Sequence, residues 1–173
     1  MGKNLLINLK RIAFEVAQLI SSNKKLINLI YNDKSDALVN PISASNLPSF
    51  ANLVEDKYIC FCAPNFANVE TLNRNTFITI LMEDFDFNSE RSFINGSGAI
   101  HVTTNESHFS LDNGVNRSLE IIDEIIATID GAKFSSAGTL EVERVNYSGF
   151  NEDYFNYRIS FSISDEITRG VEI

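Results

Sequence analysis

The 173-residue chain contains no Trp, three Pro, two His and two Cys. Each shortage excludes something. Cys60 and Cys62, in "YICFCAP", are too few for a disulfide framework. On a strand they would project from one face about 7 Å apart, a poor geometry for bonding each other. They read as small apolar side chains in a reducing compartment, and no CxxC spacing offers a metal or redox site. His101 and His108 flank an Asn-Glu turn that could bring them together, but no HExxH-type pairing points to zinc. Cations are scarce too, with 14 Lys and Arg against 23 Asp and Glu, for a net charge of −9. The densest basic grouping is Lys10-Arg11 with Lys24-Lys25, far from the cluster that a phosphate-backbone binder needs. Sequence-specific DNA binding is therefore not expected. An acidic surface suits a protein that stays in solution, or one that lets nucleic acid pass without holding it.

Long apolar runs are missing as well. The opening stretch, "MGKNLLINLKRIAFEVAQLISS", carries Lys3, Lys10, Arg11 and Glu15, which makes it too polar for a signal-peptide core or a membrane span. Leu6 stands where a myristoylation signal needs Ser or Thr. "NGSGA", residues 95–99, lacks the GxGxxG spacing of a phosphate cradle, and no GxSxG elbow occurs. In "MEDFDF", Glu83, Asp84 and Asp86 sit beside Phe85 and Phe87 as on a half-exposed strand end, without a Ca²⁺-loop pattern. No catalytic constellation emerges, so the reading is of a protein that is not an enzyme and takes no cofactor.

What the chain does have is periodicity. Leu5, Leu9, Ile12, Val16 and Leu19 recur at spacings of four and three, widened by Ala13 and Ile20, which predicts an amphipathic helix of about five turns. Leu26, Ile27, Leu29 and Ile30 suggest a second, short helix. From Ala37 to Asp56, Pro41 and Pro48 stand amid Ser and Asn, as in a long loop or arm. Strands are expected at Tyr58 to Ala63, Thr76 to Phe87 and Gly98 to Thr104, with His108 to Leu111 as a short continuation and "NSERSFINGS" as an extended hairpin tip. Val115, Leu119, Ile122, Ile126 and Ile129, supported by Ile121 and Ile125, mark the second main helix, with Gly131 as its C-terminal cap. Thr139 to Tyr147 and Tyr154 to Ser164 form a closing hairpin around "SGFNED". In the last strand Phe155, Tyr157, Ile159, Phe161 and Ile163 alternate with Asn156, Arg158, Ser160 and Ser162, the pattern of a strand buried on one side.

Helices and strands do not alternate as a doubly wound fold requires. The order predicts a single α+β domain over residues 1–173, with two principal helices on a mainly antiparallel sheet, a long hairpin tip and an extended loop.

The whole pattern resembles the tail terminator or neck (head-tail joining) proteins of tailed bacteriophages. The similarity lies in "NLLINLKRIAFEVAQLI", the hairpin strands with a long tip, "NRSLEIIDEIIATIDG", and the paired strands "GTLEVERVNY" and "YFNYRISFSIS", roughly residues 4–164. It implies a homo-oligomer, a hexameric ring that caps the tail tube and joins it to the head connector. The implied partners are the tail-tube protein and the head-completion or connector protein. DNA would pass without specific binding, and no membrane would be involved. The implied location is the virion, after assembly in the host cytoplasm. The last strand would then join a sheet continuing from subunit to subunit. Candidate interface residues are Phe93 and Ile94 at the tip, Pro41 and Phe50 on the arm, and Arg158 on the last strand. The alternative is a monomeric α+β module that binds a protein or a small molecule.

Overall fold

The computed structural model describes residues 3–61, 75–87, 93–134, 138–149 and 153–164. Its architecture is α+β, with four helices and a six-stranded, mostly antiparallel sheet among the described residues. Helix α1 (Lys3–Ser22) stops where Asn23 leaves helical geometry and begins α2 (Lys24–Tyr31). Asn23 can do this because its side-chain oxygen accepts the Leu26 N–H at 3.1 Å, satisfying one of the new helix's free donors. The expected arm is not extended throughout. Ser49 caps a short helix, α3 (Phe50–Glu55), whose Leu53 is fully buried, and Ala37 is buried as well.

Strand β1 (Ile59–Cys60) runs parallel to β2 (Thr76–Phe87), which turns back into β3 (Phe93–Asn105). The third strand thus begins five residues earlier than the periodicity suggests. The expected strand from His108 to Leu111 is replaced by a 3-10 turn at Glu106–His108 and one isolated bridge, Ser110 to Asn116, because Asn105 accepts the Ser107 N–H and closes a tight turn. Helix α4 (Arg117–Ile129) follows, then β4 (Lys133–Phe134), β5 (Gly138–Tyr147) and β6 (Tyr154–Ser164). Gly131 at φ +75° ends α4, as a left-handed cap residue should.

The strand order is β1-β2-β3-β6-β5-β4. Helices α1, α2 and α4 pack together against one face of this sheet. On that face Ile80, Ile100 and Ile159 stand in one cross-strand row, each no more than 1% exposed. Against them α1 presents Ile12, Val16 and Ile20, α2 presents Leu26, Leu29 and Ile30, and α4 presents Ile121, Ile125 and Ile129. The buried stripe of α4 is rotated from the expected one. Leu119 is 45% exposed, whereas Ser118 and Ile121 face inward, because Arg117 anchors the first turn. In the next row Gly98 lies between Met82 and Phe161, and a methyl group there would sit 2.5 Å from the Phe161 ring and 2.6 Å from the Leu81 carbonyl. Glycine is what lets that ring cross the sheet.

The topology also corrects the reading of the last strand. β6 lies between β3 and β5, so both its edges are paired within the chain and it cannot extend the sheet to a neighbour. Nor is only one of its sides buried: Asn156 and Ser160 are 6% exposed.

Candidate assembly surfaces and the polar face of the sheet

The open edges of the sheet lie elsewhere. β1 pairs with β2 only at Ile78 and Thr79, and beyond them no described strand lies against that edge of β2 as far as Phe87. Alongside this stretch a groove of about 470 Å³ separates α1 from β2, lined by Lys10, Ala13, Phe14, Leu81, Met82 and Phe85 among others. Its walls are mainly apolar. Phe14 lies one residue beyond the buried stripe of α1, is 44% exposed, and meets Phe50 edge-to-face at 4.9 Å. At the same edge Glu83, Asp84 and Asp86 are exposed.

At the opposite end β4 pairs with β5 only at Gly138 and Thr139. Residues 143–147 are all exposed, Val145 at 38% and Tyr147 at 58%. A one-residue irregularity between Val142 and Arg144 shifts the pairing with β6, and beyond it Val145 and Tyr147 share the face of Ile159 and Tyr157, the side that carries the helices. Tyr147 meets the Tyr157 ring at 5.3 Å and the Phe155 ring at 6.4 Å, while Phe109 stacks on Phe155 at 4.3 Å. Neighbouring rings thus hold Tyr147 in place even though it is exposed.

The sheet face away from the helices is polar in its middle. Thr79, His101 and Arg158 form one cross-strand row. Asn156 is a hub: it donates to His101 Nδ1 at 3.1 Å and to Ser148 Oγ at 2.6 Å, and accepts from Thr103 Oγ1 at 3.2 Å. With Nδ1 accepting, the His101 proton belongs on Nε2. Burial, and secondarily the Arg158 charge, holds the His101 pKa below its ordinary value, so the ring stays neutral. Arg158 donates to both carboxylate oxygens of Glu83 at 2.5 Å. The Thr79 and Ser160 hydroxyls are buried without a hydrogen-bond partner.

A buried cation was not legible as such. Arg117 is 1% exposed and donates to four main-chain carbonyls: Nε to His108 at 2.9 Å, Nη1 to Leu29 at 2.8 Å and Asn32 at 2.6 Å, and Nη2 to Lys34. The Leu29 carbonyl belongs to the last turn of α2, where the helix dipole is negative, so a cation there both satisfies orphan acceptors and matches the field. Desolvation lowers the Arg117 pKa, and the Asp33 charge works against that shift.

The candidate residues named from sequence do not converge on one place. Phe93 opens β3 opposite Phe87, and Ile94 and residues 95–97 of the expected tip follow it in that strand; residues 88–92 lie outside the described residues, as do the Phe93 and Ile94 side chains and Cys62. Pro41 is exposed and lines a cavity of about 240 Å³ beside Lys25 and Leu47. Phe50 is half-buried and supports Phe14 at the groove, and Arg158 sits mid-sheet in its pair with Glu83. His101 and His108 bind different partners, Asn156 and Ser107. What the sequence reading missed is the pair of edges. The available signal was Phe14 flanking the apolar stripe of α1, and Val145 with Tyr147 within a charged strand.

Among the described residues no three His, Cys, Asp or Glu side chains gather as a metal site, and no helix is long and apolar enough to cross a membrane. Residues 23–163 match the family model described as YomW. No curated protein matches the chain.

Proposed function

The chain belongs to the YomW family, named after a Bacillus phage or prophage gene product, and from that premise we propose that it is a structural, ring-forming subunit of a phage-like tail or neck. In this reading copies of the chain form a closed ring, a hexamer in the tail-terminator form. The ring caps the tail tube and meets the head connector within the virion. The observation that carries the reading is that, among the described residues, the sheet is open at both ends: β2 and β5 outrun their two-residue neighbours β1 and β4. An uncovered edge invites another strand, and two complementary edges at opposite ends of a sheet suit a head-to-tail array that closes on itself. The acidity fits a channel that DNA traverses, since fixed negative charge repels phosphates and a ring multiplies the −9 of each chain.

The test is light scattering and electron microscopy of the purified protein, alone and with tail-tube protein. Rings, or caps on tube ends, are the expected result. A chain that stays monomeric in both experiments overturns the proposal.

A second reading, a monomeric binding module, draws on the Thr79 and Ser160 hydroxyls buried beside His101 and Arg158 without partners. Unmet donors of that kind fit a small polar ligand. A thermal-shift screen of small anions, repeated on Ser160→Ala, checks it. Stabilisation by an anion that the variant abolishes supports the module; no shift with any anion retires it.

A further inference from the structure

We propose that the two open edges join to each other: the exposed end of β5 in one copy lies antiparallel along β2 of the next, with Val145 and Tyr147 entering the groove between α1 and β2. The inference rests on the ring-forming reading and adds to it which surfaces meet. The face on which each residue lies makes the join self-consistent. Val145 and Tyr147 project to the helix side of the sheet, by their register with Ile159 and Tyr157, and the groove opens on that same side, against Ile80 and Met82. A rotation that carries one sheet into the next keeps its two sides distinct, so helix-side residues meet a helix-side groove. Strand direction agrees as well. β5 runs antiparallel to β2 across the intervening strands, and the same orientation in the next copy gives an antiparallel join, which needs no crossover.

The chemistry of the surfaces matches. Tyr147 and Val145 are the apolar residues that β5 leaves exposed, and the mainly apolar groove has Phe14 open to take them. An aromatic ring brings about 150–250 Å² of buried area to such a contact, at little cost in side-chain freedom because its partners already hold it. The charges are paired too: an antiparallel join brings exposed Arg144 toward the acidic edge at Asp84 and Asp86, and Glu143 toward Lys10 at the groove's rim. Each copy uses one plug and one groove, so the contact is head-to-tail and both surfaces stay active until the array closes.

Two variants test this, each removing one half of the contact: Tyr147→Glu leaves the groove intact, and Phe14→Glu leaves the plug intact. Both positions are well exposed, so each variant is expected to keep the wild-type circular dichroism spectrum; where one does not, Tyr147→Ser or Phe14→Ser replaces it. Light scattering should find self-association of each variant weakened by about thirtyfold or more, the scale of a lost central anchor. Mixed in equal amounts, the two variants should form heterodimers and nothing larger, because one good plug meets one good groove and the remaining halves are both disabled. If the wild type assembles and either variant assembles equally well, the edge assignment is wrong and the ring reading stands. If both variants are monomeric and their mixture is too, the head-to-tail join is overturned, again without touching the ring reading. A wild type that is monomeric with and without tail tubes removes the ring reading and this inference together.

Discussion

Replacing Arg117 by Met keeps the length of the side chain and removes its donors. Four carbonyls, those of Leu29, Asn32, Lys34 and His108, then lose the guanidinium that serves them. The Lys34 carbonyl still accepts the Ala37 N–H, which leaves three without a partner; a buried acceptor so left costs about 1–3 kcal/mol, so the gross loss is about 3–9 kcal/mol. Two effects reduce it. Met no longer carries a charge out of water, which returns several kcal/mol, and the carbonyls nearest the surface regain solvent. The net loss should be about 3–5 kcal/mol, and at about 2–4 °C per kcal/mol for a domain of this size Tm should fall by roughly 6–20 °C. Differential scanning calorimetry and urea titration are the assays. Arg117→Lys is the sharper control: a single ammonium cannot span four acceptors drawn from two separate segments, Leu29–Lys34 and His108, so it should lose nearly as much. A Met variant within about 3 °C of the wild type, well under the fall expected, or a Lys variant indistinguishable from it, would refute the view that the fork geometry holds the end of α2.

Gly98→Ala should destabilise the fold by about 1–3 kcal/mol, read by urea titration, since its methyl meets the Phe161 ring and the Leu81 carbonyl, and only the ring can move. A neutral result would mean that the sheet is loose enough there to admit a methyl group. His101, facing Asn156, Thr79, Arg158 and Glu83, has its pKa held below the ordinary value. The unfolded chain therefore takes up the proton first. Stability from the neutral ring is complete above the unfolded pKa and declines as the pH falls from about 7 toward 5. His101→Gln should flatten that decline in Tm measured against pH, and parallel curves for variant and wild type would dismiss the histidine as its source.

Much of the fold was legible because local periodicity and tertiary burial agree. The α1 stripe from Ile12 to Ile20, the closing hairpin of β5 and β6, and Gly131 after α4 carry their meaning in adjacent residues. Three features were not legible, each for a reason of distance. Strand order depends on pairings far apart in sequence, so nothing within β6 told that it is flanked by β3 and β5 rather than lying at an edge. Arg117 looks like an ordinary solvent-facing residue at a helix start, and its burial comes from carbonyls more than eighty residues earlier. The helix inside the arm had a readable cue, Ser49 before Phe50, Leu53 and Val54 at helical spacing, which Pro48 and the surrounding Ser and Asn obscured. The groove and plug belong to the same class. Phe14 and Tyr147 declare themselves only when the fold shows which apolar residues it has failed to cover.

The Arg117 clamp also bears on how the chain is made. Synthesis delivers α1 and α2 to the ribosome exit well before residue 117 has been added, so for that interval the end of α2 has only water to satisfy its carbonyls. The N-terminal helices are therefore a waiting half, competent to form turns but not to lock. Nascent chains arrested before Arg117 should be digested readily by protease, and protection should arrive only once the later half has emerged.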